Sequence, residues 1–152
     1  HILDLQLIPK FIADSLSDIT SGLGDLFEMR LMFEPDCAYY AAQRATDEEI
    51  ATICKWGEEV EKKILSGEDR TVEEQKFHES IANATHNSFV QQFMPIIFNA
   101  IKKGVVVLMK DGSVSSDNMN DDRLIMDFIK KRNAEGARTA MRLHIIHAME
   151  HI

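Results

Sequence analysis

Thr71-Val-Glu-Glu-Gln-Lys-Phe-His-Glu-Ser-Ile-Ala-Asn-Ala-Thr-His-Asn87 decides the reading of this 152-residue chain. Its apolar residues recur at helical rather than alternating spacing, and Glu74 and His78 stand four apart. On a helix that spacing puts a carboxylate and an imidazole on one face, one turn from each other. Such a pair is half of a metal site or one corner of a polar ligand pocket. The remaining chain then has to supply the other half and a shell of helices around it.

Outward from that stretch the same period repeats. Residues 2–17 carry a broad apolar stripe in which the helix begins near Pro9, with the proline in its first turn, and a loop over 17–24 follows. Asp25 reads as an N-cap with Glu28 as its capping-box partner, opening a helix over 26–44. On that helix Leu26, Met29, Met32, Phe33, Cys37, Tyr40 and Ala41 fall near one face, and Pro35 should kink or restart it. Thr46 with Glu49 three residues on is a second capping box, for a helix that stops at Ser66-Gly67. Thr71 caps the next helix, with Glu74 at its N3 position. Residues 89–110 form a long apolar stretch bent at Pro95, a polar loop spans 111–117, and two further helices cover 121–131 and 134–152. No segment alternates as a strand would, apart from the brief run Val105–Val107. The expectation is an all-α, antiparallel bundle of six to seven helices around a central polar or metal cavity. Residues 1–24 would be an N-terminal helix and loop leading in from a longer chain, and 25–152 would be one helical domain.

Composition narrows the function. A hydrophobic fraction of 45% suits a folded core. A net charge of −8 sets most of the surface against nucleic-acid phosphate, and the basic run Lys130-Lys-Arg132 is short enough to be a solvated helix end. No apolar run approaches the roughly 18 residues of a membrane span, so membrane partners are not expected and the expected location is the cytoplasm. Cys37 and Cys54 have no CxxC spacing and read as buried, reduced thiols. No G-x-S-x-G elbow or Gly-rich phosphate loop is present, and Asp25, Glu28 and Glu34 read as exposed or capping carboxylates; the chain is not expected to be an enzyme.

The polar groups left over sit on apolar faces. His144 continues the stripe of Ala137, Ala140 and Met141, and Asp122 opens a helix whose ladder is Leu124, Ile125, Phe128 and Ile129. A divalent ion inside the bundle would satisfy Glu74, His78, Asp122 and His144 together, whereas a lone buried histidine is also met as a purely structural residue. His86, His147 and His151 read as surface or capping residues. Arg30, surrounded by core-type residues, needs an anion, either Glu34 at i+4 or a bound one.

Four segments in register, Leu26-Phe-Glu-Met-Arg-Leu-Met-Phe-Glu-Pro35, Ala41-Ala-Gln-Arg-Ala-Thr-Asp-Glu-Glu49, Glu74-Gln-Lys-Phe-His78 with Ile81-Ala and Asn87, and Ala137-Arg-Thr-Ala-Met-Arg-Leu-His144, carry a resemblance. Together they resemble the C-terminal effector-binding domain of FadR-like regulators in the GntR superfamily of bacterial transcription factors. The resemblance implies a six- or seven-helix bundle that binds a small carboxylate metabolite, dimerises, and meets DNA only through an N-terminal winged helix-turn-helix. It implies a divalent metal (Zn, Ni, Mn or Fe) on Glu74, His78, Asp122 and His144, with Arg30 meeting the effector's carboxylate. Phe27, Asn87, Met94 and Phe98 are expected around the effector. The chain departs from the family pattern at two ligands, with Glu74 where Asp is usual and Asp122 where His is usual. A set of two imidazoles and two carboxylates favours a six-coordinate centre over tetrahedral zinc. A small metal-dependent helical-bundle enzyme and a ligand-free dimerisation module are the two other readings.

Overall fold

The computed structural model describes residues 22–108 and 115–150, with the side chains of Leu23 and of residues 101–119 excepted. The helix expected from about Pro9 to Ser17, and His151, lie outside the described residues. Among those described, six helices and no strand are found: α1 Leu23–Arg44, α2 Asp47–Ser66, α3 Thr71–Asn83, α4 Ser88–Leu108, α5 Ser115–Lys130 and α6 Ala134–Met149.

Side-chain contacts fix their direction. Asp36 and Ala42 of α1 meet Arg138 and Arg132, so α1 and α6 run antiparallel. Glu61 meets Arg123 while Gly57 abuts Met126, which sets α2 against α5. Gln75 meets Asn99 and Asn83 meets Gln91 for α3 and α4, and Asp121 meets His147 while Phe128 abuts Gly136 for α5 and α6. The main core joins Ala38, Ala41, Ala42 and Ala45 of α1 to Ala137, Ala140, Met141 and Ile145 of α6, with Phe77 and Ile81 of α3 and Ile125, Met126 and Ile129 of α5. Small side chains on α1 and α6 let these two helices approach closely. A second cluster holds Phe27, Ala82, Met94 and Phe98.

Two helix ends follow the sequence closely. Thr46 and Glu49 make both bonds of the capping box, and Gly67 closes α2 at φ +71°, a conformation open to glycine without steric cost. Others correct it. Gly22, without a side-chain cap, starts α1, and Asp25 lies inside the first turn, where its charge complements the helix dipole. Thr71 is the first residue of α3 and not its cap; its N–H and hydroxyl both donate to Asp69 Oδ1, at 3.1 and 2.7 Å. Glu74 therefore has no capping duty. α1 does not restart at Pro35, α4 continues through Pro95, and α5 begins at Ser115 within the expected loop.

The face expected to be buried on α1 is also corrected. Met32, Phe33 and Tyr40 are 66%, 52% and 39% exposed, while Arg30 and Glu34 are buried. The inward face of α1 carries two charged residues, so the hydrophobic period pointed partly to the wrong side. Cys37 and Cys54 are free, buried thiols; burial, with Glu34 and Asp36 nearby, pushes the Cys37 thiol up to about 12.

Gly136 tests this packing. A Cβ there would lie 2.3 Å from Phe128 Cδ1, so α6 needs a residue without a side chain to seat that ring. The Gly136→Ala variant is expected to lose about 1–2 kcal/mol in urea unfolding, overpacking outweighing a helix-propensity gain of about 1 kcal/mol. A variant as stable as the parent would show that the ring swings away at no cost.

Candidate metal and effector site

Four helices aim charged side chains at one interior region: Arg30 and Glu34 from α1, Glu74 and His78 from α3, Asp121 and Asp122 from α5, His144 and His147 from α6. The centre is a triangle. His78 Nε2 lies 3.0 Å from His144 Nε2, and Glu74 Oε1 lies 3.1 Å from each. The imidazoles are stacked, with centroids 5.0 Å apart. Of the groups of three or more potential ligands among the described residues, Glu74, His78 and His144 form the one that could hold a metal ion.

Three donor atoms this close on facing helices could reach one ion together. Behind each ring stands a carboxylate. His78 Nδ1 is 2.5 Å from Glu34 Oε1, and Glu34 Oε2 accepts from Arg30 Nε. His144 Nδ1 faces Asp122 Oδ1 at 3.6 Å and Asp121 Oδ2 at 3.7 Å, and Asp121 Oδ2 also meets His147 Nδ1 at 2.7 Å. A carboxylate behind a ligating histidine is the usual support of a metal centre. Both oxygens of Asp122 and Oε2 of Glu74 are buried without a hydrogen-bond partner, unsatisfied acceptors of the kind a cation would engage.

The electrostatics follow from four carboxylates gathered around one guanidinium. Burial opposes charge on Glu34, but Arg30 and His78 hold its carboxyl down at about 2. Burial likewise opposes ionisation of Glu74, and hydrogen bonds from His144 and His78 win, holding it well below the usual range. Asp122 goes the other way: burial and the neighbouring Glu74 carboxylate outweigh the attraction of His144 and push it well above the carboxylate range. Burial disfavours a charged His144, yet Asp122, Asp121 and Glu74 together lift it to about 9, and Glu34 raises His78.

Of the four ligands expected from the sequence, the structure brings Glu74, His78 and His144 into the triangle and sets Asp122, fully buried, behind His144. Arg30 is paired with Glu34, the internal one of its two expected partners, and its Nη2 lies 3.5 Å from His78 Nδ1. Its guanidinium also stacks over Phe27 at 5.0 Å. Phe27, Met94 and Phe98 share one apolar cluster, and Phe98 lies 5.8 Å from the His78 ring. Asn87 is exposed and not part of this group; its Oδ1 accepts from the N–H groups of Phe89 and Val90 at the start of α4.

Three members were missed. Glu34, read as exposed or capping, is 2% exposed at the centre of the network. His147, read as surface or capping, is half-buried on Asp121, and Asp121 itself was not singled out. His147 stands three residues after His144 and hence on the same helical face, the one signal that could have flagged it. His86 is exposed on Glu49, as read.

An all-α bundle with two imidazoles and a carboxylate converging inside it defines a helical domain with an interior polar site. The FCD domain family matches residues 25–147, and the chain belongs to that family, the effector-binding domain of GntR-family transcription regulators. It is 24% identical over 142 residues to the HTH-type transcriptional regulator YdhC of Bacillus subtilis, covering 91% of this chain and 63% of the relative. It is 28% identical over 130 residues to a putative L-lactate dehydrogenase operon regulatory protein of Escherichia coli (80% and 48%). It is 25% identical over 118 residues to the galactonate operon transcriptional repressor of the same organism (74% and 50%). The solved structure of a Streptococcus agalactiae GntR matches with a TM-score of 0.75 at 26% identity, over 90% of this chain and 59% of that one. The chain thus spans between about half and somewhat under two thirds of the length of these relatives. They are transcription regulators, not enzymes. No helix among the described residues is long and apolar enough to cross a membrane.

Proposed function

We propose that this domain senses a small carboxylate metabolite, a hydroxy-, keto- or sugar acid, through a divalent metal held by Glu74, His78 and His144, with Asp122 as the fourth group and second carboxylate of the set. The convergence of two Nε2 atoms and Glu74 Oε1 within 3.1 Å of one another carries the reading. Mixed nitrogen and oxygen donors favour Mn, Fe or Ni over zinc, and leave positions for the effector's oxygens. Glu34 takes the Nε edge of Arg30, so the Nη groups are where the effector's carboxylate would pair. Phe27, Met94 and Phe98 would supply the apolar wall, and Asn87 would act indirectly, by fixing the start of α4.

In the whole protein the effector would bias the placement of an N-terminal winged helix-turn-helix on DNA, as a cytoplasmic homodimer. For that it must favour one arrangement of the bundle over another, since equal affinity for both shifts nothing. The exposed Met32, Phe33 and Tyr40 offer apolar surface for such a dimer.

Elemental analysis and thermal melts before and after chelation test the metal. One divalent ion per chain is expected, with a melting temperature that falls on chelation. Lactate and galactonate, the hydroxy acids in two relatives' names, are the first effector probes, and they should stabilise the metal-loaded domain and not the chelated one. Absence of uptake from Mn, Ni and Zn solutions alike would end the metal reading.

A further inference from the structure

Glu34 donates no atom to the central triangle, yet it is the group through which α1 reaches it. Its side chain is 3% exposed and both oxygens are engaged, Oε1 by His78 Nδ1 at 2.5 Å and Oε2 by Arg30 Nε. Arg30 can only donate, and a carboxylate held by a guanidinium has no proton to give. The proton in the contact with His78 must therefore sit on Nδ1. The charged ring donates to Glu34 from Nδ1 and to Glu74 from Nε2; once neutral it keeps the proton on the shorter contact, 2.5 Å against 3.1 Å, and His144 Nε2, also 3.1 Å from Glu74 Oε1, takes over the donation to Glu74, which leaves the His78 lone pair on Nε2. Nη2 of Arg30, 3.5 Å from Nδ1, is a neighbour and not a competing donor, because a protonated Nδ1 has no lone pair to offer. His144 differs. Its Nδ1 has carboxylates at 3.6 and 3.7 Å, beyond hydrogen-bonding reach, so nothing fixes its tautomer as tightly.

We propose that Glu34 is a positioning residue that sets His78 in the Nδ1–H tautomer, presenting Nε2 to the metal, and that ties this choice to Arg30. The metal clause rests on the function proposed above; the tautomer clause does not. One carboxylate thereby orients a metal ligand on α3 and the effector-facing cation on α1, so a shift of Arg30 is felt at His78.

The Glu34→Gln variant separates this from simple packing. Glutamine keeps the shape but has one acceptor and one donor end. Arg30 always donates, so the amide oxygen turns to Arg30 and the NH2 group faces His78 Nδ1. That nitrogen must then accept, and the proton moves to Nε2, where it blocks coordination. Long-range proton–nitrogen NMR of the metal-free domain, at alkaline pH where the ring is neutral, is expected to show Nδ1–H in the parent and Nε2–H in Glu34→Gln. Ni²⁺ affinity, measured by competition with a chromophoric chelator, should fall about 10–100-fold in the variant and recover in part in Glu34→Asp, which restores two acceptors. A metal-free parent with His78 protonated on Nε2 overturns the proposal whether or not the variants fold. So does a folded Glu34→Gln that keeps the parent's tautomer and Ni²⁺ affinity. A parent that binds no metal but switches tautomer in the variant would uphold the role of Glu34 while removing the metal reading.

Discussion

The His144→Gln variant is expected to weaken divalent-metal binding by more than about 100-fold, above the loss that follows removal of a supporting hydrogen bond. His144 Nε2 is one of three converging donors, and an amide is a poor replacement for imidazole as a ligand of Mn, Fe or Ni. The same variant should change the pH response of the chelated domain. In the metal-free fold His144 titrates at about 9 instead of 6.5: burial lowers it, and Asp122, Asp121 and Glu74 outweigh that. A basic group with a raised folded pKa contributes stability that is fully present below the unfolded value and lost as pH rises through the folded one. The chelated parent should therefore lose roughly 3 kcal/mol between pH 6.5 and 9, and Asp122, an acid with a raised pKa, adds in the same direction as it ionises. Saturating metal replaces the proton on Nε2 and should flatten this limb. Chelated His144→Gln should show a shallower fall than the chelated parent. Urea unfolding at a series of pH values measures all three, and coincident curves for parent and variant would mean that His144 is not the titrating group. The acid limb is shared by Glu34, Glu74 and Asp121, whose lowered pKa values give stability that is lost as pH falls, for Glu34 from 4.5 towards 2.

How much of this was legible in the sequence depended on whether the signal was local. The capping box at Thr46 and Glu49 and the αL glycine at Gly67 were readable because each motif closes within a few residues. Glu74 and His78 were readable because one turn of one helix fixes their relation. Thr71 satisfied the same local pattern as Thr46 and misled, because Asp69 two residues earlier engages its hydroxyl. Glu34 was illegible for a different reason. An i,i+4 Arg–Glu pair is common on exposed helices, and its burial here is decided by what α3 and α6 bring against it. Met32 and Phe33 show the converse: with the inward face of α1 carrying charge, apolar residues were left to face outward. Asp121 and Asp122 stand side by side in sequence, and only the crossing of α5 with α6 sends both towards His144. The family resemblance supplied that long-range step for Asp122, since register with known members stands in for geometry. It was silent on Asp121 and His147, for which no counterpart had been stated.

Asp122 is where stability and function should part. In the metal-free domain it is fully buried, neither oxygen has a hydrogen-bond partner, and Glu74 lies beside it. An acid whose folded pKa is raised gives most stability below its unfolded value and loses it as pH rises, so at neutral pH Asp122 works against the fold. Asparagine has nearly the same shape, carries no charge, and can donate its amide to the Glu74 carboxylate. Metal-free Asp122→Asn is therefore expected to be more stable than the parent at pH 7.5, by about 1–3 kcal/mol, the range for relieving an unsatisfied buried polar group. For a domain of this size that is a rise of roughly 2–4 °C in melting temperature per kcal/mol. With metal the sign reverses. Four carboxylates and one guanidinium leave an excess of three negative charges when the histidines are neutral, and a divalent ion is the natural counter-charge. Removing one carboxylate, whether it would bind the ion or support His144 from behind, should weaken Ni²⁺ or Mn²⁺ binding by about 10–100-fold. Melting temperatures and metal titrations on the same two proteins decide the matter. Opposed changes would mark Asp122 as kept for the ion at the expense of the fold, a trade common at functional sites. A variant that is less stable and binds metal as tightly as the parent would make Asp122 a structural residue, and the centre one of three ligands.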